Sequence, residues 1–168
     1  MRTPQLGDFG LTKGKGLAMF VIRHATASRY GHAAVCVGLE RSGHVAVVEA
    51  MPDGARIREV SPDEFVWSNL PLTEQQRRDV SAYALNCLGF PYDWKAIIGF
   101  AIRVWKARWS TGSDDHADDK LICSELVAWC YREAGFDLAP GTAPGDVSPG
   151  DLADWLFKYG LDRDYASL

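Results

Sequence analysis

Between positions 17 and 70 the chain carries five short segments rich in β-branched and aromatic residues: LAMFVI (17–22), HAAVCVG (32–38), HVAVVEA (44–50), ARIREV (55–60) and FVWSNL (65–70). Gly, Ser, Asp or Pro punctuates the gaps, so each segment reads as a strand. The texture changes only after Leu70, where helical spacing takes over. Strands first and helices after confine the chain to an α+β fold: a mainly antiparallel sheet of five to six strands, packed by helices on one face.

The first helix is announced by PLTEQQRRDVSAYALNCLG, in which Thr73 and Gln76 form a capping box and Gly89 ends the run. In DWKAIIGFAIRVWKARW, the residues Trp94, Ile97, Ile98, Ala101 and Trp105 fall on one stripe, with most of the basic residues off it, which predicts a second, amphipathic helix. The acidic stretch STGSDDHADD has no periodicity and reads as a surface loop. A third helix is expected from about Cys123 to Ala134, stopped by Gly135, and a short last one in DLADWLFKYG. With 168 residues, 47% of them hydrophobic, and no internal repeat, a single domain over 1–168 is expected.

Charge and cysteine usage exclude several classes. The net charge of −4 supplies no basic surplus for phosphates, so nucleic acid is not an expected partner. Cys36, Cys87, Cys123 and Cys130 show no spacing of a structural zinc site, and no metal or cofactor is expected. The opening MRTPQLGDFGLTKGKG lacks the apolar stretch of a secretory signal, so a reducing compartment and free thiols are the expectation. Apolar runs such as AAVCVGL and AIIGFAI are too short to span a bilayer.

Chemistry is suggested by LICSELVAWC, positions 121 to 130. Cys123, Leu126, Val127, Cys130 and Ala134 share the helical stripe that packs inward, and Cys123 sits in its first turn. The partial positive charge of a helix N-terminus favours a thiolate, the nucleophilic form. Cysteines are more often core fillers than nucleophiles, so the case depends on a base and an orienting group.

The hairpin HAAVCVGLERSGHVAVVEA offers both. Closing it at Gly38 and Gly43 leaves a four-residue loop and sets His32 directly opposite Glu49, on one sheet face. Glu49 also ends the apolar row of Val45 and Val47, where a carboxylate needs a partner. Two plainer readings stand beside this: a strand-end histidine bonded to backbone or water, and a glutamate paired with Arg56 or Arg58. A metal held by His24, His32 and Glu49 matches no recognised ligand spacing. His44 has the opposite face parity to Glu49, and His116 lies in the acidic loop.

Taken together, GDFGL (Gly7 to Leu11), GHAAVCVG around His32, VAVVEAMPDGARI with Glu49, GFPYDW around Tyr92 and CSELVAWCYREAG around Cys123 resemble a known group. It is the circularly permuted, papain-like branch of the NlpC-type cell-wall endopeptidase superfamily, which also holds the lecithin–retinol acyltransferase relatives. The order is that of the permuted branch, with the histidine ahead of the cysteine.

The resemblance implies a permuted papain-like fold, a nucleophile at Cys123, a base at His32, an orienting acid at Glu49, and oxyanion or substrate contacts from Tyr92 and Ser124. The activity implied is that of a cysteine amidase or peptidase. Its substrate would be a small peptide or a peptidoglycan stem peptide, and its place the bacterial cytoplasm or, if phage-encoded, a virion tail. Two alternatives accompany it. One is lipid acyl hydrolysis or transfer, with helix 94–109 at a membrane surface. The other is a non-catalytic module that keeps the fold. The oligomeric state is not legible in the sequence.

Overall fold

The computed structural model describes residues 3–16, 19–20, 23–24, 28–40, 42–91 and 122–158. The strands are β1 (Phe9–Thr12), β2 (His32–Leu39), β3 (Val45–Met51), β4 (Gly54–Val60) and β5 (Val66–Trp67). The helices are α1 (Glu74–Asn86), α2 (Cys123–Glu133) and α3 (Pro149–Lys158). The strands form one antiparallel sheet in the order β4-β3-β2-β1-β5, and the fold is α+β. Tyr92, the helix expected over 94–109, the acidic loop and His116 lie outside the described residues.

The first strand is not where the apolar run suggested. β1 begins inside the GDFGL stretch and runs from Phe9 to Thr12, with Phe9 and Leu11 alternating inward and fully buried. Met19 and Phe20, in the middle of LAMFVI, are helical, and Phe20 N–H donates to Gly16 O at 3.2 Å, four residues back. Six consecutive apolar residues have no period, so they suit a strand or a helical turn equally. The fifth strand is also shorter than FVWSNL, because Asn69 turns the chain at a φ of 46°.

Alternation decides what each sheet face buries. Phe9, Leu11, Ala33, Val35, Val48 and Ala50 face the helices and join Val80, Ala84, Leu126, Val127 and Leu152 in the main core. Ala34, Cys36, Val45 and Val47 face the other way, onto a smaller cluster with Val60, Phe65 and Trp67. Each fully buried leucine in the main core contributes on the order of 2 kcal/mol.

The capping box expected at α1 is present: Thr73 Oγ1 accepts from Gln76 N–H at 3.2 Å, and Gln76 Oε1 from Thr73 N–H at 3.0 Å. Two buried polar side chains tie the helices to the strand ends. Arg77 donates to Asp8 at 3.0 Å and to Leu70 O at 2.6 Å, while the Tyr131 hydroxyl donates to Gly7 O at 2.6 Å.

The β2–β3 hairpin departs from the expected register. Val35 pairs with Val48 and Cys36 with Val47; a bulge follows, and then Gly38 pairs with Ala46 and Leu39 with Val45. The turn closes between Glu40 and Gly43 rather than between Gly38 and Gly43. One step along this ladder sets Glu49 beside Ala34, so His32 is its diagonal neighbour rather than its direct one.

Candidate active site

Cys123 is the first residue of α2, after an extended Ile122 with φ of −95° and ψ of 161°. Glu125 Oε2 accepts from Ile122 N–H at 3.3 Å and closes the helix entry. The inward stripe holds as expected at Cys123, Leu126, Val127 and Cys130, and burial extends to Ser124, Ala128 and Tyr131. The thiol is thus fixed at the partial positive end of a helix with 1% of the residue exposed.

His32 opens β2 and is 4% exposed, while Glu49, in β3, is 1% exposed. Their side chains meet as the hairpin parity demands, with His32 Nε2 2.9 Å from Glu49 Oε2. Side chains on one sheet face repeat every second residue, so a register displaced by two residues preserves the face and trades a direct pair for a diagonal one. Imidazole and carboxylate are long enough to span that diagonal.

The other ring nitrogen, Nδ1, is buried and closes no hydrogen bond of full geometry, and the polar side chain besides Glu49 that acts on the ring is the Cys123 thiol. Burial opposes the charge on His32, but Cys123 and then Glu49 outweigh it and push the imidazole up to about 9. Burial likewise opposes the charge on Glu49, yet His32 and Arg58 hold its carboxyl down at about 2. Imidazolium and carboxylate therefore coexist at neutral pH.

Glu49 has more than one cation. Strand β4 pairs with β3 so that Arg56 stands opposite Glu49 and Arg58 opposite Val47, on the same face. Arg56 donates through Nε and Nη2 to Glu49 Oε1, both at 3.2 Å. Arg58 donates through Nε to Oε1 at 2.9 Å and through Nη2 to Oε2 at 3.2 Å. Arg58 is held in turn by Glu64, and Arg56 by Asp53. The histidine and arginine pairings, which stood as alternatives in the sequence, are satisfied together. The alternation Arg56-Ile57-Arg58 was the only signal that both guanidinium groups would face Glu49.

The remaining candidates stand apart. Ser124 Oγ is buried with no hydrogen-bond partner among the described residues. His24 Nδ1 lies 3.0 Å from Phe20 O. Among the described residues no three His, Cys, Asp or Glu side chains gather as metal ligands. All four cysteines are free thiols.

No family model and no curated protein matches the chain. Among solved structures it is similar to the metalloprotein YiiX of Escherichia coli O157:H7, DUF1105. The TM-score is 0.57 and the identity 24%, over 82% of this chain and 70% of that one. The likeness is one of fold.

Proposed function

We propose that this chain is a cysteine hydrolase of the circularly permuted papain-like type, cleaving an amide bond through an acyl-enzyme on Cys123. One observation carries the reading. His32 gives Nε2 to a buried, clamped carboxylate and leaves its buried Nδ1 without a hydrogen bond among the described residues, while the Cys123 thiol at a helix start acts on the same ring. A carboxylate on one nitrogen fixes the ring and supports its positive charge, and the other nitrogen is left to exchange a proton with the nucleophile.

The chemistry follows in two steps. The Cys123 thiolate attacks the substrate carbonyl carbon, and the imidazolium gives its proton to the leaving amine as the C–N bond breaks, which leaves a thioester and a neutral imidazole. The imidazole then takes a proton from water as the water oxygen attacks the thioester. A carboxylic acid departs, and the thiolate and imidazolium are restored. Glu49 keeps its negative charge throughout. Backbone N–H groups of the first turn of α2 are available to a developing oxyanion, with Tyr92 and Ser124 as further candidates.

The solved neighbour is a metalloprotein, but the described residues around Glu49 do not fit a metal. Both oxygens of Glu49 are taken by His32, Arg56 and Arg58, and two guanidinium groups beside a carboxylate repel a cation.

Labelling with iodoacetamide between pH 5 and 9, followed by peptide mapping, tests the proposal. Burial pushes Cys36 up to about 11 and Cys130 well above the ordinary thiol range, so these two thiols serve as unreactive internal references. Cys123 is expected to label below pH 8, and Cys123→Ser to lose both that label and turnover of muropeptides, dipeptide amides or acyl esters. A Cys123 that labels no faster than the references across this range ends the reading.

A further inference from the structure

A cavity of about 930 Å³ opens at the end of the sheet, and the chemistry proposed above makes no use of it. Cys123 and His32 do not line it, but its wall comes within one residue of the imidazole. Thr12 in that wall is the cross-strand partner of His32, and the ring of Phe65 has its centroid 6.4 Å from the imidazole centroid.

Two glycines bring basic segments against the same strand end. A Cβ placed on Gly14 would lie 3.2 Å from the Cβ of His32. One placed on Gly31 would lie 3.0 Å from both Lys13 O and Arg23 Cγ. The backbone at Lys13 and the stem of Arg23 thus pack within a residue or two of the proposed base, in a space that side chains at 14 and 31 would fill.

The charges of the lining are not balanced. Of the acidic residues, Glu64 already accepts from Arg58, and Asp63 from the Ser61 hydroxyl. Arg23 gives one N–H to Lys13 O at 3.3 Å and keeps the rest of its fork, and Lys13 has no carboxylate partner among the described residues. The Ser61 hydroxyl leaves Asp63 its charge, but with Glu64 matched by Arg58, Lys13 and Arg23 outnumber Asp63, and a concave wall with a positive surplus on a chain of net charge −4 attracts an anion.

We propose that this cavity is a substrate subsite for a carboxylate-bearing residue, held by Lys13 and Arg23 beside the carbonyl that Cys123 attacks. The guanidinium fork matches a carboxylate in two parallel hydrogen bonds, and the ammonium adds a point charge. Leu11, Phe65 and Val66 in the same wall cover the methylenes that carry the carboxylate. The inference rests on the cysteine-hydrolase reading and narrows its substrate to an acidic one.

Two alkylating reagents of matched size and different charge, iodoacetate and iodoacetamide, read the subsite without a known substrate. The ratio of their rates at Cys123, measured by peptide mapping, cancels changes in the thiol itself. The Lys13→Ala, Arg23→Ala double variant is expected to lower that ratio by about fivefold. In a second measurement, N-acetylglutamate slows iodoacetamide labelling in the wild type and loses this protection in the double variant. An unchanged ratio, with N-acetylglutamate protecting neither protein, overturns the subsite while a fast-labelling Cys123 leaves the hydrolase reading standing. A Cys123 that reacts with neither reagent faster than a simple thiol removes both.

Discussion

Replacing Glu49 with Gln removes the charge on which the site is built and keeps nearly the same volume. Five N–H contacts, one from His32 and two each from Arg56 and Arg58, converge on the two carboxylate oxygens. A glutamine must turn an NH2 group into one side of that ring of donors. The carboxyl titrates at about 2 instead of its ordinary 4.5, which corresponds to on the order of 3 kcal/mol of folding stability at neutral pH.

The arginine side chains are 43% and 32% exposed, so water solvates them once the carboxylate is gone, which keeps the loss below that of a fully dry pair. The sign follows from the depressed value. The contribution is complete above about pH 4.5 and is lost as pH falls through about 2. Urea unfolding of wild type and Glu49→Gln at pH 7 and pH 3 is the assay. The gap is expected to be about 3 kcal/mol at pH 7 and to shrink to roughly 1 to 1.5 kcal/mol at pH 3. An equal gap at both pH values, or none at pH 7, refutes an ionised and clamped Glu49.

Two more predictions concern the same frame. The imidazole of His32, followed by proton NMR, is expected to titrate near 9 rather than 6.5, so its contribution to stability is full below about 6.5 and fades as pH rises through 9; a midpoint at or below 6.5 contradicts this. Tyr131→Phe leaves the buried Gly7 carbonyl without its 2.6 Å donor and is expected to cost about 1 to 2 kcal/mol in urea unfolding, with labelling of Cys123 unaffected.

The legible parts of this protein are those set by local spacing. Thr73 and Gln76 announce α1 because capping needs only neighbours three residues apart. The inward stripe of α2 follows from the helical repeat, which is why Cys123 is found at the first turn and facing the core. LAMFVI misled because a short unbroken apolar run carries no period, whereas the four residues Phe9–Thr12, too few to stand out, form the strand whose Thr12 pairs with His32.

The pairing of His32 with Glu49 lies between these cases. The turn was placed wrongly, since the closing of a hairpin depends on a bulge that no residue near Cys36 declares. The contact survived because it depends on parity, and parity is unchanged by a slip of two. Alternation along a strand and the turn of a helix are properties of the backbone, and the amino-acid order alone settles which face each side chain takes. Which strand lies beside which, how Arg56 and Arg58 both reach one carboxylate, and that a thiol far along the chain comes to rest against the imidazole are decided only when the whole core packs. Those contacts join elements distant in sequence, and their energies depend on burial that no single segment has until all of them are in place.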